Sequence, residues 1–333
     1  MITSHSKNAL NVRAVDVGKG RVKLTTSIEG ICTSFPSIVD STIHPYSRTL
    51  EQLIDGRMLD VVSTTTAGVH HTEITPEYRA LLYKALDKMR VKQLDLLVTG
   101  LPPHRYAAHR RALTQILKGT HAIRSDASIT IEEVRVVPQP LGGLIAYLHE
   151  RRIDWKRQMN RRYLVVDVGY GSCNWLCTHG LTEVPARSGG VAVGMSHYLS
   201  RANSIVDRLL GRHYPFRHKI DEGLRRGRFR VGKREIDVDL LCIPAEDVAG
   251  PAVEALYKGI GGPQGIDEVI VVGGGSEYFM PVLMSSLPEL ELHTVAHPMY
   301  ANVRGFHLIG GILGTVDRDL LLAQWSDHGQ STS

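Results

Sequence analysis

The sequence predicts an α/β protein built twice over, as two similar domains around a cleft. Three observations predict it. The stretch Ala14-Val15-Asp16-Val17-Gly18-Lys19-Gly20 returns as Val165-Val166-Asp167-Val168-Gly169-Tyr170-Gly171, each copy an apolar run, an Asp and a Gly-x-Gly. Such long-range self-similarity marks a duplication. Each copy opens three strand-like runs that give way to alternating helix and strand patterns, the order of a mixed sheet covered by helices on both faces. The 333 residues, 43% hydrophobic and 22% charged, suffice for two domains that each bury a core.

Taken in order, Val12 to Val17, Arg21 to Ser27 and Gly30 to Ile38 read as three strands. Asp40 to His71 is polar and rich in Thr, and is expected to be irregular, a small β subdomain. Thr75-Pro76-Glu77 opens a helix, with Thr as N-cap and Pro in the first turn. Its apolar stripe runs through Leu81, Leu82, Ala85, Leu86 and Met89. Leu94 to Thr99 is a short buried strand, and a helix is expected from about Arg105 to Lys118. Ile129 to Val137 is a strand broken by Pro138-Gln139-Pro140-Leu141-Gly142-Gly143, and Leu144 to Glu150 resumes as helix. Arg151 to Arg162 is a charged linker.

The second half repeats the opening, with strands at Tyr163 to Val168, Ser172 to Thr178 and Leu181 to Arg187. A helix is expected from Val191 to about Leu210, then a basic segment with a helix at His218 to Arg226 and strands near Arg228 to Val238. Glu246 to Ile260 is a helix, Glu268 to Val272 a strand, and Gly273-Gly274-Gly275-Ser276 leads into a helix ending at Leu287. The expected divisions are residues 1–150, with 40–75 as a small subdomain, and 151–300, with 211–245 as an insertion. A segment 301–333 returns to the first domain.

The net charge of +5 permits weak attraction to nucleic acid without demanding it. Basic residues cluster at Arg151-Arg152, Arg161-Arg162 and from Arg212 to Arg234, and the first two clusters read as solvated loops. Cys173 and Cys177 lie four apart on one face of a strand, and Cys32 and Cys242 stand far off. No zinc spacing appears, so the four read as reduced core residues of a cytoplasmic protein. Met1 to Asn11 carries no apolar signal core, and no run reaches the length of a membrane span.

The repeated turn has a physical use. Glycine lets the backbone approach a ligand closely, and successive turn N–H groups can face an anion. Two carboxylates, Asp16 and Asp167, would repel a polyphosphate unless a cation stood between, so we infer Mg²⁺ bridged through water. A single such turn is a common hairpin; two at corresponding places, with a third Gly-rich turn downstream, point to a nucleotide gripped from both sides. Lys23, seven residues after Asp16, can reach β- or γ-phosphate oxygens. Lys19 is expected to project to solvent while its N–H faces the nucleotide. Gln139, fixed between two prolines, can orient water for in-line attack, with a helix-capping role as the alternative. Gly273, Gly274, Gly275 and Ser276 can pass under an adenine or ribose and offer helix N–H groups. The chain holds neither a Rossmann fingerprint nor a P-loop.

These motifs, in this order, resemble those of the actin-like ATPase superfamily, and most closely its plasmid-partitioning ParM/StbA branch. The first phosphate motif resembles Asp16-Val17-Gly18-Lys19-Gly20-Arg21-Val22-Lys23, and the first connecting motif Pro138-Gln139-Pro140-Leu141-Gly142-Gly143. The second phosphate motif resembles Asp167-Val168-Gly169-Tyr170-Gly171-Ser172. The adenosine motif resembles Val271-Val272-Gly273-Gly274-Gly275, and the second connecting motif Ala301-Asn302-Val303-Arg304-Gly305. Tyr170 departs from the small or acidic residue of the family. The resemblance implies an actin-like (ribonuclease H-like) duplicated fold, ATP bound between the halves and slow hydrolysis with Gln139 and Asp167 as catalytic residues. It implies adenine contacts from the insertion, where Lys219 and Glu222 are the candidates. It also implies head-to-tail filaments that move plasmid DNA through a DNA-binding adaptor, with no membrane partner.

Two other classes compete. A small-molecule kinase of the same superfamily needs an Asp base facing an acceptor hydroxyl; the cleft motifs supply Gln139 and no such base. A non-polymerising ATP-binding scaffold would append a substrate domain, and none is expected after Ser333.

Overall fold

The structure, a computed structural model, describes residues 10–39, 51–54, 57–60, 75–124, 126–315, 319 and 322. Strands β1 (Val12–Val17), β2 (Arg21–Thr25) and β3 (Cys32–Pro36) form an antiparallel meander. A hairpin of β4 (Glu51–Ile54) and β5 (Arg57–Asp60) follows; the rest of the stretch from Asp40 to His71 lies outside the described residues. Helix α1 (Pro76–Met89) starts where its caps predict: the Thr75 hydroxyl accepts the Tyr78 N–H, and Arg90 ends the helix in the left-handed region. Then come β6 (Gln93–Leu101), α2 (Pro103–Leu117), β7 (Gly119–Arg124), β8 (Ala127–Pro138) and α3 (Gln139–Glu150). The first sheet has the order β3-β2-β1-β6-β8-β7, with β1, β6 and β8 parallel.

The second half comprises β9 (Arg162–Val168), β10 (Cys173–His179), β11 (Thr182–Glu183), β12 (Gly189–Val191), α4 (Met195–Leu210) and α5 (Arg217–Arg226). It continues with the hairpin β13 (Phe229–Val231) and β14 (Arg234–Ile236), then α6 (Ala245–Ile260) and β15 (Glu268–Val272). It closes with α7 (Ser276–Ser286), β16 (Leu292–His293) and α8 (Ala301–Leu313). Its sheet runs β11-β10-β9-β15-β16, with β12 also on β10 and with β9, β15 and β16 parallel. The central order β2-β1-β6-β8 is thus matched by β10-β9-β15-β16, and the duplication is structural.

Several expectations need correction. The strand ends at Pro138 as expected, but the helix starts at Gln139 and not at Leu144, because Pro140 falls in the first turn, where the missing N–H has no helical partner to lose. Leu181 to Arg187 is not one strand, since only Thr182–Glu183 pairs before Pro185 starts a 3-10 turn. The helix expected from Val191 starts at Met195, and Gly189–Val191 pairs with β10 instead. At Gly189 a Cβ would stand 2.8 Å from the Trp175 ring, so the strand needs a bare backbone there. The edge strands β7 and β16 were not anticipated; both are too short or too polar to show an alternation.

Three apolar clusters fill the molecule. One lies between the first sheet and α1 and α2, and one between the second sheet and α4, α6 and α7. The third lies between the sheets, around α3 and α8. There the pair crosses over. α3 packs mainly against β9, β10 and β15 of the second sheet while still touching β6 and β8 of the first, and α8 packs against β1, β2 and β6 of the first. Helix α3 is buried from Gln139 through Leu148, as a helix covered on every side must be apolar all round. The two helices touch backbone to backbone: a Cβ at Gly305 would overlap the Gly142 carbonyl. No helix among the described residues is long and apolar enough to cross a membrane.

Candidate functional site

The site forms where the parallel strands of both sheets end, the position at which open α/β sheets bind ligands. Asp16 lies near the C-terminal end of β1, and Gln139 is the first residue after β8. Asp167 lies near the end of β9 and Gly273 directly follows β15, whose Val272 pairs with Asp167. Between them lies a cavity of about 700 Å³ whose walls come from both halves.

The two Asp-bearing turns share one construction. The Gly18 N–H donates to the Arg21 carbonyl (3.2 Å), and the Gly169 N–H to the Ser172 carbonyl (2.8 Å). That closure leaves the N–H groups of Lys19, Gly20, Tyr170 and Gly171 without a backbone acceptor among the described residues. The turns also interlock. A Cβ at Gly20 would stand 2.7 Å from the Tyr170 side chain, and one at Gly171 2.5 Å from Lys19 Cδ. Each glycine therefore makes room for the side chain of the opposite turn. Lys19, expected to point to solvent, is half-buried along the cavity wall. Burial, and then the neighbouring Arg105, lower its pKa.

The two carboxylates differ in their partners. Asp16 is 1% exposed. Its cross-strand partner is Lys23, whose Nζ donates to Oδ2 at 3.1 Å. The Gln139 amide Nε2 donates to Oδ1. Burial acts to lower the Lys23 pKa, but the charges of Asp16 and Asp167 outweigh it and the net shift is upward. Lys23 thus caps Asp16 as well as lining the cavity, a double role that its spacing alone did not reveal. The corresponding cross-strand partner of Asp167 is the neutral Asn174. Asp167 is 5% exposed and accepts from Asn302 Nδ2 at 2.9 Å. Burial and then the Asp16 charge raise its carboxyl to about 6.

Of the residues expected at the site, Gly18, Lys19, Gly20, Lys23, Gln139 and Asp167 line this cavity, as do Gly169, Tyr170, Gly171, Ser172, Lys219, Gly273 and Gly274. Asp16 lies beneath the wall, behind Lys23 and Gln139. Gly275 and Ser276 do not reach the cavity. A Cβ at Gly275 would press on Val168 and Met195, its N–H donates to the Val168 carbonyl, and Ser276 is buried with its N–H on Gly273. The helix N–H groups expected to face a ligand are thus partly spent inside the chain. Glu222 lies outside as well, paired with Lys219 and Arg226 over a neighbouring groove. Asn302, which sequence reasoning placed in the second connecting motif without a site role, and Arg105, His109 and Arg217, which it missed, also line the wall. Asn302 carried a signal, as an amide inside an apolar helix; the basic residues carried none.

Residues 14–142 match the family model "Actin like proteins N terminal domain", and residues 165–285 match "Archaeal actin homologue MreB-like, C-terminal". No curated protein sequence matches the chain. Among solved structures, the archaeal actin homolog Ta0583 in complex with ADP superposes with a TM-score of 0.75 at 19% identity, covering 90% of this chain and 99% of that one. A 15-stranded ParM filament from Clostridium botulinum gives 0.67 at 17%, covering 90% and 98%. The actin-like protein Alp7A gives 0.72 at 12%, covering 95% and 99%. At these identities the likeness speaks to the fold. With one family model on each half and the duplicated sheets between them, the chain belongs to the actin-like family.

Proposed function

We propose that this protein binds ATP with Mg²⁺ in the cavity between its halves, hydrolyses it slowly, and joins into head-to-tail filaments in step with the nucleotide. The observation that carries the reading is that both Asp-bearing turns and Gln139 face one cavity. The residues fit the ligand. About 700 Å³ is in the range of small-molecule sites. The turns hold four backbone N–H groups without a backbone acceptor among the described residues, and Lys19, Lys23, Arg105 and Arg217 stand on the walls, a surface for phosphates. Asp167 fits a cation: it is buried, has no basic cross-strand partner, and its charged form is disfavoured. Asp16 fits one less directly, since both of its oxygens are already engaged.

Mg²⁺, when bound, neutralises phosphate charge. The chain's own residues do the rest. Turn N–H groups and Lys23 hold the phosphates. Gln139, tied by its amide nitrogen to Asp16, keeps its carbonyl oxygen for the attacking water. Asp167 is held in place by Asn302. Lys219 is the candidate for the base end. The two halves, divided near residue 150, act as the two closing domains, with α8 returning to the first. By the ParM/StbA resemblance and the similarity to a ParM filament subunit, the filaments segregate plasmid DNA in the cytoplasm through a DNA-binding adaptor. Calorimetric titration with ATP, with and without Mg²⁺, alongside phosphate release, tests the reading. One ATP per chain, tightened by Mg²⁺ and slowly hydrolysed, is expected. An ATP affinity that survives Gly18→Val together with Gly169→Val would show that the nucleotide, if bound, lies elsewhere.

A further inference from the structure

The chain's positive charge is not spread evenly. Of 39 Lys and Arg against 34 Asp and Glu, the segment from Arg212 to Arg234 holds nine against two, leaving 30 against 32 elsewhere. Even with the acids that follow, residues 211–245 hold nine against five. This segment forms α5 and the β13–β14 hairpin, which lean on each other and edge the second half. Some of the charge is spent internally. Glu222 pairs with Lys219 and Arg226, and Asp221 with Arg225. Arg234 donates to the Leu209 carbonyl. Arg212, Arg228, Arg230 and Lys233 are exposed and make no ion pair among the described residues.

Arg228 and Arg230 line a groove of about 910 Å³, together with Phe216, Arg226 and Glu235; it adjoins the nucleotide cavity and shares His218 and Lys219 with it. Arg228 and Arg230 flank the buried Phe229, so the strand anchors through its phenyl ring and presents both guanidinium groups outward. Phe216 is 46% exposed and meets the Tyr214 and His218 rings edge-on. We propose that this face binds the phosphodiester backbone of nucleic acid directly, so that the protein itself, besides any adaptor, touches DNA. Seven of the nine cations are arginine, the side chain whose planar fork suits phosphate oxygens. A clustered basic face interleaved with aromatics is the footprint of such binding. The chemistry disfavours a membrane surface: α5 buries Ile220 and Gly223 and shows solvent a charged face, without the apolar stripe an interfacial helix inserts. The contact needs neither ATP nor assembly; in a filament the groove would repeat once per subunit and gain by avidity.

The test uses the unassembled full chain without nucleotide. A labelled short DNA duplex is titrated by fluorescence anisotropy from low to physiological salt, for wild type and for Arg228→Glu/Arg230→Glu. Wild type is expected to bind with a steep salt dependence. The double variant is expected to weaken by about tenfold or more and to lose about two from the log–log salt slope. Its thermal unfolding and phosphate release should match wild type. Arg228→Gln/Arg230→Gln, which removes charge without reversing it, should fall between, and serves if the Glu variant does not fold. The proposal is overturned if wild type leaves the duplex free at low salt, if both variants bind like wild type, or if phosphatidylserine vesicles or polyglutamate are bound as tightly as DNA. Loss of ATP binding or assembly with DNA binding intact would overturn the proposed function and leave this contact standing.

Discussion

Asp16 and Asp167 end corresponding strands, yet only Asp16 faces a lysine; the second hairpin puts Asn174 in that place. The consequence is a pH dependence in the ligand-free protein. Burial and the Asp16 charge raise the Asp167 carboxyl from 3.8 to about 6, so between these values the folded state binds the proton more tightly than the unfolded chain. Stability contributed by the protonated form is present below about pH 4 and is lost as pH rises through about 6. Asp167→Asn, which keeps the Asn302 contact without the charge, should therefore stabilise the ligand-free protein at neutral pH by up to about 3 kcal/mol. The gain should shrink toward about pH 5, where wild type carries the proton itself. Thermal unfolding at the two pH values checks this; an equal gain at both would assign the effect to packing. The same substitution should abolish phosphate release. Gln139→Ala should slow hydrolysis by roughly ten- to a thousand-fold while ATP still binds, since the lost group positions water. A collapse of ATP affinity in a single-turnover and binding comparison would make Gln139 a structural residue. At this scale the sequence made Asp16, Asp167 and Gln139 legible, because each sits in a short motif with its own turn chemistry. Glu222 misled because it stands three residues from Lys219, and on α5 that spacing pairs the two charges over the second groove. Asn302 stood in the second connecting motif as an amide inside an apolar helix, but its bond to Asp167, 135 residues away, depends on the packing of α8 and has no local signal.

Helices α3 and α8 are the elements that join the sheets, and their crossing depends on glycine. At Gly305 a Cβ would collide with the Gly142 carbonyl, and at Gly142 it would stand 2.7 Å from the Phe306 ring. Gly305→Ala gains about 1 kcal/mol of helix propensity, but overpacking of a close contact costs about 1–3 kcal/mol, so the net effect should be a lower Tm. Gly311 lies on the same helix, exposed, with no described residue within 4 Å of a Cβ. Gly311→Ala should therefore raise Tm through the propensity term, by up to about 1 kcal/mol. Equal shifts in the two variants would remove the crossing from the explanation. The elements legible in the sequence are those set locally, such as α1 with its Thr75 cap and the strand–turn–strand units at Gly18 and Gly169. Those misread depend on tertiary partners. Gly189–Val191 is a strand because Trp175 covers Gly189 and β10 offers an edge. The Gly142-Gly143 pair reads as a breaker until α8 fills the space it leaves.

At the scale of the whole molecule, a ligand that touches Gly18 on one side and Gly274 on the other spans both halves and biases their closure. A surface assembled from both halves fits a neighbour in one closure state, so differential affinity for that state becomes assembly energy. A head-to-tail contact that does not close on itself gives a filament rather than a ring. The duplicated order was legible as a repeated motif; the exchange of α3 and α8 between the sheets was not, because no local pattern says which sheet a buried helix covers. The most direct measurement is sedimentation with ATP, a slowly hydrolysed analogue and ADP, with negative-stain images of each pellet. Filaments are expected in the pellet with ATP and the analogue, and loss of the pellet with ADP. Protein that stays monomeric at roughly tens of micromolar with all three nucleotides would contradict it.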